Sequence, residues 1–151
     1  MEGWDGFSLT CKMWQERMKA MGEPAFRGRQ IFEWLHDKQV FSYQQMSNLP
    51  RTLRERLAAE MPLRPIKKSL VQHSAKDGTR KYLMRLADGE SIETVYMRYH
   101  YGASLCISSQ VGCKMGCRFC ASTLSGKVRD LMPGEMVQQI YLAEQDIGEK
   151  I

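Results

Sequence analysis

Apolar residues recur at helical spacing through the first 65 residues of the chain. In the stretch LTCKMWQERMKAMGEP, Trp14, Met18 and Met21 fall on one helical face behind Thr10, a residue type that favours the N-cap position. The stretch AFRGRQIFEWLHDK repeats this spacing, and LPRTLRERLAAEMP opens with a proline in its first turn before a stripe of leucine and methionine. The pattern predicts a small helical domain over residues 1–65.

The hydrophobic period changes over residues 66–100. KKSLVQHS, TRKYLMRL and SIETVYMR are three strand-length runs separated by turns that contain Asp-Gly, which predicts an antiparallel β meander. In the third run Glu93 alternates onto the same face as Val95 and Met97. If that face is buried, Glu93 loses hydration and becomes a candidate proton acceptor; if it is solvated, Glu93 is an ordinary surface carboxylate.

Residues 101–151 begin with ASLCIS, which predicts a short strand, and continue into a cysteine-rich loop. PGEMVQQIYLAEQDIG then predicts a helix with Pro133 and Glu135 in its first turn and an apolar stripe from Met136 to Ile147. Strand, loop and helix in this order make the first unit of a parallel α/β layer, whose partner strands would follow Ile151. We therefore expect an α+β to α/β fold that is the front part of a longer protein.

Composition narrows the class of protein. The 151 residues carry a net charge of +5 at a pI of about 9.0, which favours polyanionic partners such as RNA but also suits a plain basic surface. No apolar run approaches the roughly 18 residues that span a bilayer, and no basic-then-apolar leader opens the chain, so we expect a cytoplasmic protein without a membrane partner. Five cysteines, three of them within eight residues, indicate a metal site rather than a disulfide framework.

The segment CKMGCRFC places Cys113, Cys117 and Cys120 at the spacing C-x3-C-x2-C. Thiolates are soft ligands that suit zinc, copper or iron–sulfur clusters. A structural zinc needs four protein ligands, so Cys106 or His100 would have to be the fourth. A 4Fe-4S cluster held by three cysteines instead leaves one iron open to a small molecule.

The cysteine spacing, with Phe119 directly before the last cysteine, resembles the signature of the radical S-adenosylmethionine superfamily. The longer stretch IETVYMRYHYGASLCISSQVGCKMGCRFCAS, together with GEPAFRGRQIFEWL and MSNLP, resembles the RlmN/Cfr-type RNA adenine methyltransferases, and their RlmN branch most. The resemblance implies an RNA-binding accessory domain at 1–65, a meander leading into the core at 66–100, and the start of a truncated partial (β/α)6 barrel at 101–151.

This resemblance also implies a reaction: methylation of C2 of adenosine in 23S rRNA and tRNA, or of C8 in the Cfr-type branch. A cysteine beyond Ile151 carries the methyl group, and the 4Fe-4S cluster and S-adenosylmethionine generate the radical that activates it. The positions that match the family are the three cluster ligands, a cofactor-binding aromatic, the base, and the cysteine that releases the RNA through a transient disulfide: Cys113, Cys117 and Cys120; Phe119; Glu93; and Cys106.

The resemblance further implies a monomer that receives electrons from a reductant protein of flavodoxin or ferredoxin type, and a 151-residue chain that is inactive by itself. The rival hypothesis is a non-catalytic RNA-binding module with a structural zinc. Cys106 separates the two hypotheses, because in the zinc module it would be a metal ligand or a core residue, and in the enzyme it must stay off the metal.

Overall fold

In a computed structural model, which describes residues 5–151, the chain forms two compact units that divide between Arg64 and Pro65. The predicted first domain begins at residue 1, so its first four residues lie outside the described range. In the part of the chain that is described, no helix is both long enough and apolar enough to cross a membrane.

The first unit is helical, as its spacing predicts. Over residues 5–64 it contains three α-helices and two short 3₁₀ turns: α1 (Cys11–Ala20), α2 (Phe26–His36), α3 (Arg51–Glu60), Gly6–Ser8 and Tyr43–Gln45. The Thr10 hydroxyl accepts a hydrogen bond from the Met13 amide at 3.3 Å, which confirms Thr10 as the N-cap of α1. Gly22 then takes a left-handed φ of 76°, a conformation that costs glycine least, and the helix ends before it.

Helices α1 and α2 cross at Gly28. A Cβ atom at this position would lie 2.4 Å from the backbone nitrogen of Gln15, so only glycine lets the two helices approach this closely. Trp14 is fully buried in the same unit, and its indole N–H donates to the Gly6 carbonyl at 3.1 Å. The stripe predicted for α1 is therefore buried at Trp14 and Met18, whereas Met21 lies half-exposed at the end of the helix.

The second unit contains a four-stranded antiparallel sheet in the order β1-β2-β3-β4. Its strands are β1 (Lys67–His73), β2 (Arg80–Arg85), β3 (Ser91–Tyr99) and β4 (Gly102–Cys106). The expectation that β4 opens a parallel layer stays a prediction, since its partner strands would follow Ile151. On the edge of β4 that is paired, a tight turn at His100 and Tyr101 sends the strand back antiparallel to β3 and places Cys106 opposite Val95. The meander therefore has one strand more than the sequence predicts.

A separate two-stranded hairpin holds the cysteine loop. Strands β5 (Gln110–Gly112) and β6 (Lys127–Asp130) pair antiparallel, and residues 113–126 loop out between them, with one 3₁₀ turn at Ala121–Thr123. Helix α4 (Pro133–Ile147) follows directly. The hairpin brings both ends of the cysteine loop to one place beside the larger sheet.

One face of the larger sheet packs with α4 to form the core of the second unit. The buried apolar cluster consists of residues from the sheet, the hairpin and the helix: Ile66, Tyr82, Met84, Leu86, Ile92, Tyr96, Val111, Leu131 and Ala143. On α4 the fully buried residues include Gln138 and Gln139, while the predicted stripe residue Ile140 is half-buried. Polar side chains therefore share with Ala143 the helix face that the apolar stripe was expected to fill.

Candidate functional site

The cysteine loop is closed at its neck by two glycines. Gly112 and Gly126 both have φ of 67°, and the Cys113 amide donates to the Gly126 carbonyl at 3.1 Å. A Cβ on Gly112 would lie 1.9 Å from that carbonyl oxygen, far inside any real contact. Position 112 requires glycine, because its backbone lies close to the Gly126 carbonyl and its φ is left-handed. This requirement explains the glycine directly before the first cysteine of the motif.

Within the loop, Cys113, Cys117 and Cys120 are all half-buried free thiols. The hydroxyl of Thr123 donates to the carbonyl oxygens of Cys117 and Cys120 at 3.2 and 2.9 Å, and the Met115 amide donates to the Cys113 sulfur at 3.5 Å. These bonds satisfy loop backbone groups and leave the thiols available as ligands.

The chemistry of the donor set can be compared with the two metal hypotheses. Residues 113–126 contain three thiols and no carboxylate or imidazole, which is the soft set that iron–sulfur clusters use. Among residues 5–151, no three histidine, cysteine or acidic side chains converge as ligands of a single ion. A zinc would need four donors at about 2.0–2.3 Å, and neither Cys106 nor His100 is brought into such a group. Since the three loop thiols do not form such a group either, the match to an iron–sulfur cluster rests on their chemistry and not on their positions.

Glu93 lies on the open face of the larger sheet. Its neighbours Ile92 and Thr94 face the core, so alternation turns Glu93 outward, and its side chain is 53% exposed. The buried alternative considered for this face is therefore wrong. The Glu93 carboxylate instead forms an ion pair with the ammonium group of Lys81 on β2, at 2.9 Å. This contact orients the Glu93 side chain along the sheet surface.

Cys106 shares that open face with Glu93. It pairs across from Val95, which lies two residues after Glu93 on β3, and residues paired across antiparallel strands point to the same side. Cys106 is exposed, and its thiol is free. The sheet therefore places the proposed base and the proposed releasing thiol in adjacent rows of one accessible surface.

A cleft of about 520 Å³ connects the sheet to the cysteine loop. It is lined by residues of β3, of the segment that follows β4, and of the loop, among them Glu93, Ser108, Gln110 and Cys113. The remaining predicted site residues are not among those that line it: Cys106, Cys117, Phe119 and Cys120. Phe119 is 93% exposed within the cysteine loop.

Gln139 fixes the segment between Cys106 and the cysteine loop, and the sequence analysis missed it. Its side-chain carbonyl accepts from the Ser108 amide and the Thr94 hydroxyl, both at 2.8 Å, and its amide group donates to the Ser108 carbonyl at 2.9 Å. Because Gln139 is completely buried, these bonds are shielded from water. A polar residue on the core face of a predicted amphipathic helix was the signal that could have identified it.

A second missed residue, Arg129, ties the hairpin to α4. Its guanidinium forms two bonds with the Glu135 carboxylate, at 2.7 and 2.8 Å, and donates to Asp88 at 2.8 Å. The bonds to Glu135 chiefly raise the pKa of Arg129, against the opposing effect of burial, so the arginine stays charged. Glu135 also caps α4 by accepting from the Met132 amide at 2.8 Å. The neck of the loop is thus anchored to the helix and to the β2–β3 turn.

Comparisons with known proteins show what the chain is similar to. Residues 7–62 match the family model of the ribosomal RNA large subunit methyltransferase N-terminal domain. A protein of Lachnospira eligens named probable dual-specificity RNA methyltransferase RlmN is 51% identical over 134 residues, which cover 89% of this chain and 38% of that protein. A relative of the same name from Alkaliphilus oremlandii is 49% identical over 151 residues, 100% of this chain and 44% of its own length.

Among solved structures, a radical SAM methyltransferase from Sphaerobacter thermophilus matches with a TM-score of 0.87 and 39% identity, over 97% of this chain and 44% of that one. The chain spans about two fifths of the length of the curated relatives it matches. Residues 7–62 are therefore similar to the ribosomal RNA large subunit methyltransferase N-terminal domain, and nearly the whole chain is similar to the front part of proteins named RNA methyltransferase RlmN and of a radical SAM methyltransferase.

Proposed function

We propose that this chain belongs to a radical S-adenosylmethionine RNA methyltransferase that methylates C2 of adenosine in 23S rRNA and tRNA. The observation that carries the proposal is the loop of three free, half-buried thiols, Cys113, Cys117 and Cys120, whose first member shares a cleft with Glu93. The names of the relatives, RNA methyltransferase and radical SAM methyltransferase, support it. The chain would supply the cluster loop, the base and the releasing thiol, and the rest of the enzyme would supply the methyl-bearing cysteine and complete the (β/α)6 barrel.

Cys113, Cys117 and Cys120 would hold the 4Fe-4S cluster. When bound, the cluster supplies the electron that cleaves S-adenosylmethionine and starts radical chemistry at the methyl group. The chain's own contribution is a loop that provides three sulfur donors and no fourth, so one iron remains for the cofactor. Phe119 would contact the cofactor from its position between Arg118 and the last ligand.

Glu93 would remove the proton from C2 of the adenine once carbon has been added there. Its exposure on the open sheet face gives the RNA direct access, and the ion pair with Lys81 keeps the carboxylate at the edge of the cleft. Cys106 would then attack the sulfur of the methyl-bearing cysteine. As the thiolate, Cys106 having lost its proton to solvent, forms the sulfur–sulfur bond, the sulfur–carbon bond breaks. The electron pair passes to the carbon that stays on the RNA, which takes up a proton and becomes the methyl group.

The cellular setting follows from the same chemistry. We place the enzyme in the cytoplasm, where thiols stay reduced, and all five cysteines of the chain are free. It would act as a monomer and receive electrons from a flavodoxin- or ferredoxin-type protein. The basic net charge of +5 suits an RNA substrate.

The proposal is tested by anaerobic reconstitution of the chain with iron and sulfide. We expect about four irons and four sulfides per chain and a reduced-cluster electron paramagnetic resonance signal. Cys11→Ala, which removes a thiol from α1, should keep the signal, and the triple alanine variant of Cys113, Cys117 and Cys120 should lose it. One tightly bound zinc that iron does not displace, with no cluster signal, would show instead the structural zinc of an RNA-binding module.

The individual roles are tested in the full-length enzyme. Cys106→Ala should keep the cluster and accumulate a covalent enzyme–RNA adduct that is visible on a denaturing gel, because the carbon–sulfur bond then has no attacking thiol. Mass spectrometry of the digested RNA decides between products methylated at C2 and at C8. A Cys106→Ala enzyme that loses its cluster would assign this thiol to the metal and contradict the role proposed for it.

A further inference from the structure

The turn between β3 and β4 carries aromatic residues that the proposed chemistry does not use. Tyr99 and Gly102 form the last pair of the two strands, and His100 and Tyr101 make the turn. Gly102 has a φ of 142°, a conformation that side chains rarely adopt, so the turn depends on glycine. The end of the hairpin therefore has a defined backbone conformation.

The two tyrosine rings of this turn are stacked. The ring centroids of Tyr99 and Tyr101 lie 5.1 Å apart with an interplanar angle of 8°, and the His100 ring meets Tyr101 edge-on at 5.0 Å and 82°. Tyr101 nevertheless remains 72% exposed, and Tyr99 43%. Because Tyr101 keeps most of its surface accessible while it stacks on Tyr99 and touches His100, its ring is available for contact with another planar ring.

The surroundings of the stack are polar and partly cationic. Arg98 directly precedes it, with a side chain that is 58% exposed and is oriented by Glu149 and by a 3.1 Å bond to the Tyr96 hydroxyl. Both tyrosines and His100 carry hydrogen-bonding groups. Within the turn there is no aliphatic residue that would extend the rings into an apolar patch of the size that protein partners bury. A nucleobase, which offers a flat ring beside a phosphate, matches this combination of rings and cation.

We propose that Tyr101, supported from behind by Tyr99, stacks on an unpaired base of the RNA, outside the cleft where methylation takes place. This inference rests on the proposed function for the identity of the RNA as substrate. Aromatic stacking on a base is tolerant of sequence, so the platform would select unpaired nucleotides over duplex rather than one base over another. It gives the enzyme a means of recognising a loop by its structure.

The test uses two RNA probes and the purified chain. One probe is a stem-loop with 2-aminopurine in its loop, and the other places the same base in a continuous duplex. We expect the chain to quench the fluorescence of the loop base and to bind the stem-loop more tightly than the duplex. Tyr101→Ala should weaken stem-loop binding fivefold or more, the range that loss of one stacked base predicts, and should remove the quenching.

Two further substitutions at the same position separate stacking from apolar contact. Tyr101→Trp keeps an aromatic face and should retain quenching, whereas Tyr101→Leu keeps apolar area without a ring and should behave like alanine. Leu70→Ala is the matched control, since Leu70 is a 52% exposed apolar residue on β1 outside the turn, and it should bind as the wild type does.

Unchanged stem-loop binding by Tyr101→Ala would overturn the inference, and so would a wild-type chain that binds neither probe. Wild-type behaviour of Tyr101→Leu would also overturn it. If Tyr101→Ala instead abolishes self-association seen by sedimentation while RNA binding is unchanged, the turn is a protein contact and the inference is wrong. None of these results bears on cluster assembly, which is measured separately and decides the proposed function.

Discussion

Replacing Gly112 by alanine should disrupt the cysteine loop through its neck, at a residue that has no ligand atoms. The new methyl group would lie 1.9 Å from the Gly126 carbonyl oxygen, so the two strands of the hairpin must separate there. The left-handed φ of 67° is also about 1–2 kcal/mol less favourable for alanine than for glycine. Opening the neck further loses the hydrogen bond from the Cys113 amide to Gly126, worth about 1 kcal/mol.

These contributions add to at least about 2–3 kcal/mol, which for a unit of this size corresponds to a fall in Tm of roughly 8–20 °C. Gly126→Ala is the matched control. Gly126 has the same φ of 67°, but a Cβ at this position would meet nothing within 4 Å. The alanine variant should therefore lose only the free energy that the left-handed backbone costs. Gly116→Ala, with a φ of 70° and equally open space, separates the effect of the neck from that of the loop.

The assay combines thermal unfolding by circular dichroism with iron and sulfide content after anaerobic reconstitution. Gly112→Ala should lose both stability and most of its cluster, whereas Gly116→Ala and Gly126→Ala should keep cluster content near that of the wild type. If all three variants lose the same stability and the same iron, the left-handed backbone alone accounts for the effect. The close contact at the neck would then have no role of its own.

Three other predictions test the two units separately. Gly28→Ala drives a methyl group into the backbone of α1 and should destabilise the first unit by about 2 kcal/mol or more in thermal unfolding, whereas Gly22→Ala should cost about 1 kcal/mol; equal effects would contradict the close helix crossing. Gln139→Leu leaves the backbone amide and carbonyl of Ser108 without their buried partner. It should lower the free energy of unfolding in urea by about 3 kcal/mol. An unchanged urea midpoint would refute the anchoring role of Gln139. For Asp146, burial opposes ionisation, but hydrogen bonds led by that from Lys68 outweigh it and lower the pKa below 3.8. The stabilisation by Asp146 is therefore present above about pH 4 and is lost as the pH falls through the lowered pKa. Asp146→Asn should reduce the urea midpoint at pH 7 and flatten its fall below about pH 4; parallel pH curves would contradict this.

The sequence predicts the helices well because their signals are local. Thr10 caps α1 through a contact three residues away, and the stripe of Trp14 and Met18 needs only helical spacing to be recognised. The position of β4 was not predictable in the same way. An apolar run such as ASLCIS is compatible with a parallel or an antiparallel partner, and here the tight turn at His100 and Tyr101 decides the direction of the strand.

For the candidate site, spacing identified the three cysteines but not what holds them. Gly112 is required by a contact with Gly126 fourteen residues away, and Gln139 by bonds to Ser108, thirty-one residues before it in the chain. Such distant contacts leave no periodic pattern in a single sequence. Whether Glu93 is buried or exposed could not be predicted from the sequence. The alternation of a strand shows which residues share a face of the sheet, but not which face is covered by the rest of the protein.

The neck of the cysteine loop has a consequence for how the enzyme is made. Its contacts are backbone and side-chain hydrogen bonds through Gly126, Gln139 and Arg129, and none of them uses a thiol. In zinc fingers, by contrast, metal binding and folding are one event. Under the proposed function, the scaffold would form without using the thiols, and the open loop would receive its cluster as a separate step.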